Sequence, residues 1–271
     1  MTALMLEQCA QTTQRLDMAH LSPKILGQAS IGAIQRMPLQ LGREQVQVGE
    51  IFNVIPTKGD RHIIRPCADN LDRLGAGMDA GELIVEGNAG HYLGAQMTGG
   101  RLCVLGRAGD FAASALSEGL VDIEGDCGSG LGAPPPGHMH GMSGGFVRIR
   151  GNCGPRAGER QRRGIILLEG NAGPEAGAGM IAGTLIVLGS TERDPGREMR
   201  RGTLLFEQMP ASLPLTFNDN GVQPLGFLAI LRGELERLKS LPQSWREKGV
   251  FARRFVGDLA CAGKGEVLVW A

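Results

Sequence analysis

Residues 81–106 read GELIVEGNAGHYLGAQMTGGRLCVLG, and Gly81, Gly87 and Gly90 return nineteen positions later as Gly100, Gly106 and Gly109. The opening glycine recurs at Gly81, Gly100, Gly119, Gly145, Gly164, Gly183 and Gly202, so every interval is nineteen residues except one of twenty-six. A fixed period of this length marks stacked coils, none of which can bury its own apolar row without neighbours. Two and four residues beyond each glycine stand Leu83/Val85, Leu102/Val104, Val121/Ile123, Val147/Ile149, Ile166/Leu168, Leu185/Val187 and Leu204/Phe206. Between and beside them lie Glu82, Glu86, Arg101, Asp122, Glu124, Arg148, Arg150 and Glu169. That is the period-2 pattern of a short strand with one face in a core.

Identical strands that follow one another in one rotational sense pair in parallel, about 4.8 Å apart. The expected fold is therefore all-β, a right-handed parallel β-helix with one strand per nineteen-residue coil and a cap at each end. The glycine closing each strand, such as Gly87 or Gly125, permits a positive φ or a sharp bend. A second column, Gly75, Gly94, Gly132, Gly158 and Gly177, is followed by Met78, Met97, Leu116, Met142 and Met180, which are expected to fill the core. Three divisions follow: 1–60 as an N-terminal cap with irregular coils, 61–202 as the Gly-rich repeat and 203–271 as a C-terminal cap. Within the last, PLGFLAILRGELERLKS (224–240) has the spacing of an amphipathic helix that caps the stack. FARRFVGDLACAGKGEVLVW (251–270) predicts two strands around a Gly-rich turn.

The chain has 271 residues, 43 of them glycine, and zero formal net charge. Periodic glycines mean turns rather than disorder, and a neutral chain argues against a general nucleic-acid or membrane-surface binder. MTALMLEQCAQTTQRLDMAHL has no basic segment followed by an apolar run, and no eighteen-residue apolar stretch occurs, which gives the expectation of a cytoplasmic protein. The six cysteines include no C-x-x-C pair. Cys127 and Cys153 fall in one column with Ala89, Ala108 and Ala172, so they are read as small packing residues on adjacent coils rather than as a redox or metal pair. The column before it, Asn88, Arg107, Asp126, Asn152 and Asn171, has the look of a binding row, and a hydrogen-bonded corner ladder is a reading of at least equal weight. GDCGSGLG (125–132) holds a partial G-x-G but no βαβ context for a dinucleotide site. No G-x-S-x-G elbow occurs.

Two features invite partners. The single insertion, LGAPPPGHMHGMSGG (131–145), carries His138 and His140; metal ligation is conceivable, but a partner-docking loop stiffened by its prolines is the reading preferred. Apolar residues also stand at nominally outward positions, Leu105, Leu120, Phe146, Ile165, Leu167, Ile186, Leu188 and Leu205, and are expected to be buried against another protein of an assembly. Arg156, Arg160, Arg162, Arg163, Arg193, Arg197, Arg200 and Arg201 gather along one edge. One reading is a solvated edge with scattered ion pairs to Glu159, Glu192, Asp194 and Glu198; the other, of equal weight, is a receiving surface where guanidinium groups suit an acidic partner or an anionic carrier tail.

The runs RLGAGMDAGELIVEGNAGHYLGAQMTGGRLCVLGRAGD (73–110), GHMHGMSGGFVRIRGNCG (137–154) and LLEGNAGPEAGAGMIAGTLIVLG (167–189) resemble a Gly-rich (GXGXG) repeat of two families. One is the C-terminal domain of the glutamate synthase large subunit; the other is the C-type subunit of formylmethanofuran dehydrogenase and of the formyltransferase/hydrolase complex. The resemblance covers 61–202, and the tail RFVGDLACAGKGEVL favours the second family. It implies a non-catalytic member of a one-carbon complex that moves a formyl group between tetrahydromethanopterin, a methanofuran-type carrier and formate. Partners would be A-, B- and D-type subunits, with no nucleic acid and no membrane. No catalytic, cofactor-binding or metal residue carries over to this chain. The alternatives are a free-standing β-helix enzyme, which would need paired outward carboxylates, and a glutamate-synthase-type domain.

Overall fold

The computed structural model describes residues 3–271. The N-terminal part contributes β1 (Ala3–Gln8), β2 (Leu16–Asp17), α1 (Pro23–Gln28), α2 (Ile31–Gln35), β3 (Pro38–Leu41), β4 (Glu44–Gln47), α3 (Val48–Ile51), β5 (Phe52–Thr57), β6 (Arg61–Arg65) and β7 (Leu71–Asp72). Its helices are too short to carry a periodic signal. They start instead on local caps, the Ser22 hydroxyl accepting from the Ile25 N–H and that of Ser30 from the Ala33 N–H.

Each repeat then supplies one strand: β8 (Glu82–Val85), β9 (Thr98–Val104), β10 (Glu118–Ile123), β11 (Ser143–Ile149), β12 (Arg163–Leu168), β13 (Thr184–Val187) and β14 (Thr203–Phe206). The chain ends with β15 (Asn218–Pro224), α4 (Phe227–Arg237), β16 (Phe251–Gly257) and β17 (Gly265–Trp270). The protein is thus mostly β, with 17 strands among the described residues, a large mostly parallel sheet and few helices. Thirteen strands form that sheet in the order β15-β16-β17-β14-β13-β12-β11-β10-β9-β8-β6-β1-β5, and β4-β3-β2-β7 form a smaller one. Consecutive repeat strands pair in parallel, Leu83 with Leu102, Leu102 with Val121 and Val121 with Val147. At both ends of the parallel run the chain reverses, since β5 on β1 and β16 on β17 are antiparallel.

All fourteen inward side chains, from Leu83 to Phe206, are fully buried in one core, together with Met78, Met97, Leu116, Met142 and Met180. The opening and closing glycines serve different ends. Gly183, like the other opening glycines, holds a left-handed φ of 92°. Gly125 does not; a Cβ there would lie 2.8 Å from the carbonyl oxygen of Gly106 on the preceding coil. Closing glycines after Gly87 are therefore fixed by close stacking of backbone on backbone rather than by the bend expected from the sequence.

The outer face divides in two. From β6 to the end of β12 charges cross from strand to strand: Arg61 to Glu82 at 3.0 Å, Arg65 to Glu86 at 2.7 Å, Arg148 to Glu169 at 2.6 Å, and Arg150 to both Glu124 and Asp122. Toward the C-terminal coils the face is apolar, and the chain covers it itself. Leu228, Leu231 and Leu235, at helical spacing on α4, pack with Phe146, Leu167, Ile186, Leu205, Leu268, Trp245 and Trp270 in a second core. Ile165, Leu188 and Leu120 border it, while Leu105 stays 56 % exposed. The apolar strip is therefore an intrachain seam rather than a surface awaiting another protein, and α4 lies across the sheet face rather than capping an end. Periodicity could not reveal this, because the covering helix is a non-repeating element some forty residues beyond Ile186.

Candidate interaction site

Equivalent positions of successive repeats lie against one another outside the main sheet as well. Ala108, Cys127, Cys153, Ala172 and Thr191 pair one to the next in parallel bridges. Cys127 and Cys153 are buried, and the Cys127 thiol is pushed well up, first by hydrogen bonding with Cys153 and then by burial. The polar column beside them is the expected ladder: Asn88 Oδ1 accepts from the Arg107 N–H at 3.0 Å, Asn152 Oδ1 from Asn171 at 3.0 Å and Asn171 Oδ1 from Ser190 at 2.8 Å. Asp126 Oδ1 accepts from the Asn152 N–H at 2.6 Å. Each side chain thus completes the turn of the coil above it.

The insertion and the arginine edge come together. Its stem is held by the Met142 N–H donating to Gly132 O at 2.7 Å and by the Gly141 N–H donating to Arg160 O at 3.1 Å. His138, Met139 and His140 are exposed at its tip. Met139 and His140 form one wall of a cleft of about 420 Å³, whose other walls include Arg160, Arg200, Glu198 and Cys261. Gly179 admits the Arg160 side chain, whose Cγ lies only 3.3 Å from where a Cβ would stand. The Arg162 N–H donates to Met142 O and the Arg200 N–H to Met180 O, each at 2.8 Å, so these arginines occupy equivalent corners two coils apart.

Of the eight edge arginines, Arg156 and Arg197 are neutralised together. Glu175 receives Arg156 at 3.0 Å and Arg197 at 2.9 Å, and the Arg156 hydrogen bond holds its carboxyl below the usual range. Among the described residues, the exposed Arg160, Arg162, Arg163, Arg193, Arg200 and Arg201 make no ion pair. The tail anchors this corner. Asp258, 3 % exposed, accepts from the Glu198 and Ala260 N–H groups at 2.9 Å each. Burial works to raise its pKa, but these donors and the Thr216 hydroxyl bring it below the ordinary value. The Cys261 thiol donates to Met199 O at 3.4 Å, which pins the tail's turn to the same coil. Sequence spacing missed this contribution of 258–261, because the tail lies outside the period.

Among the described residues, no cluster of three or more His, Cys, Asp or Glu is placed to hold a metal ion, and His138 and His140 belong to none. Nor is any helix among them long and apolar enough to cross a membrane.

No protein-family model matches the chain, and no curated protein matches it. A solved structure does. One chain of the formyltransferase/hydrolase complex (FhcABCD) from Methylorubrum extorquens, crystallised with methylofuran, superposes with a TM-score of 0.88 and 30 % sequence identity, covering 98 % of this chain and 99 % of that one. The protein belongs to the family of that chain. Within this family, the match along both full lengths means that the insertion, the arginine edge and the tail anchored by Asp258 lie inside the shared architecture rather than on an added domain. The neighbour works as part of a multi-subunit assembly that binds methylofuran.

Proposed function

We propose that this chain is a non-catalytic, C-type structural member of a one-carbon complex, built as a right-handed parallel β-helix. The repeat of 61–202 forms its body, with 1–60 and 203–271 as the terminal parts. Its partners are A-, B- and D-type subunits of a formyltransferase/hydrolase or formylmethanofuran dehydrogenase assembly in the cytoplasm. At the level of that complex, a formyl group passes between tetrahydromethanopterin, a methanofuran-type carrier and formate. The observation that carries this reading is the full-length likeness to a chain of FhcABCD at a TM-score of 0.88. A second one supports the absence of catalysis here. The outward strand carboxylates Glu82, Glu86, Asp122, Glu124 and Glu169 are each engaged by an arginine, so these positions offer no pair of free carboxylates for a β-helix hydrolase or lyase.

The arginine edge is the surface we assign to an anionic carrier tail or an acidic partner segment. Its support is the set of six arginines that make no ion pair among the described residues, two of which line the cleft under the insertion. The test is co-expression with A-, B- and D-type subunits. Wild type is expected to co-purify as a stoichiometric complex. R160E/R200E is expected to leave the isolated chain folded while weakening assembly or carrier retention and flattening its salt dependence. Wild-type assembly, carrier content and salt slope in that variant would remove the edge from the proposal. Failure of the wild type to associate with any of the three would remove the structural role.

A further inference from the structure

The first inward column of the main sheet is aliphatic from Leu83 through Leu102, Val121, Val147, Ile166, Leu185 and Leu204 to Val267. One position departs from it. His62 on β6 pairs with Leu83 and is only 5 % exposed. Its Nδ1 accepts the Leu4 N–H at 3.3 Å. A nitrogen that accepts carries no proton, so the neutral ring holds its proton on Nε2 and presents a donor there. Burial lowers the His62 pKa and keeps the ring in that neutral form. Among the described residues Nε2 has no hydrogen-bond partner, and His62 lines an open cleft. A buried donor of this kind calls for an acceptor.

The space beside it is a cleft of about 330 Å³, near the lower end of the range for small-molecule sites. Pro23 and Gly27 of α1 form one wall, and Ala3 and Gly81 face them. Gly81 is what lets α1 approach, since a Cβ there would stand 2.9 Å from the Pro23 Cβ. At the rim Lys24 is paired with Asp79 at 3.1 Å, and Asp60 makes no ion pair among the described residues. The walls suit a flat apolar body, the floor offers a hydrogen-bond donor, and the surplus negative charge at the rim disfavours an anion.

We propose that the cleft between α1 and the start of β6 and β8 binds a small uncharged molecule with a flat apolar body, whose carbonyl or amide oxygen accepts from His62 Nε2. This site is separate from the arginine edge and does not depend on the chain's role in a complex.

Three probes share one body and differ in head-group charge: benzamide, benzoate and benzamidine. Each is titrated into the full-length chain while the His62 imidazole resonances are followed by NMR. Benzamide is expected to shift them and saturate, with the two charged analogues roughly tenfold weaker. His62→Leu, which installs the residue that β8 and β9 carry in this column, should remain folded and lose the saturable binding. The proposal is overturned if benzamide binds His62→Leu as tightly as wild type, if either charged analogue equals benzamide, or if no probe shifts His62 at all. Should His62→Leu fail to fold, the head-group comparison on the wild type still decides the matter.

Discussion

Ile186→Lys places an ammonium group in the seam between the sheet and α4. Ile186 has no exposed surface and packs in the same core as Leu228, Leu231, Leu235 and Trp245. Removing its burial costs about 1.5–3 kcal/mol, and an unpaired charge left in that seam adds several more. The sum is at least about 4 kcal/mol, a large part of the ~5–15 kcal/mol that holds a typical native state. The chain's only two tryptophans, Trp245 and Trp270, both lie in this core with ring centroids 4.5 Å apart. Intrinsic fluorescence in a urea titration therefore reports on α4 docking. The expected result for the isolated chain is a red-shifted emission maximum and an early unfolding transition. Leu105→Lys, at an outward position that is 56 % exposed, should stay within about 0.5 kcal/mol of wild type. If Ile186→Lys kept the wild-type emission and urea midpoint as an isolated chain, the intrachain seam would be refuted and the strip would belong to another protein of the assembly after all.

Gly125→Ala forces a methyl group to within 2.8 Å of the Gly106 carbonyl oxygen, and neither coil can retreat without disturbing its neighbours. A loss of ~1–3 kcal/mol is expected by chemical denaturation. Cys127 and Cys153 should resist alkylation by iodoacetamide in the folded chain while the exposed Cys9 and Cys67 react, because burial and the raised Cys127 pKa both suppress thiolate; mass spectrometry showing all four equally modified would contradict this packing. The His62 site gives a pH dependence. Its folded pKa lies below the ordinary 6.5, so the unfolded chain takes up the proton first as pH falls. Its contribution to stability is complete above about pH 6.5 and is lost through the interval below that value. The other charged groups lining its cleft are Lys24 of α1, Asp60 before β6 and Asp79 before β8. Wild type should therefore lose more thermal stability than His62→Leu between about pH 7.5 and about pH 5.5; equal losses would place the dependence elsewhere.

Most of what repeats in this protein was legible from its residues, although the closing glycines proved to serve close stacking rather than a bend and the outward apolar row to meet α4 rather than another protein. The alternation Leu83/Val85 to Phe206 set the strands and their inward row, and the nineteen-residue step set their parallel order, because a coil can bury its apolar residues only against an identical neighbour. The Asn and Cys columns were legible for the same reason, since register places equivalent side chains on top of one another. The amphipathic helix and the final two strands were legible as local elements. Where those non-repeating pieces dock emerged only in three dimensions. Nothing in the period says that α4 covers Ile186, that Asp258 and Cys261 brace the Arg197–Arg201 corner, or that α1 folds back to leave a cleft beside His62. Such contacts join residues tens of positions apart with no shared register, and only complementary shape and burial select them.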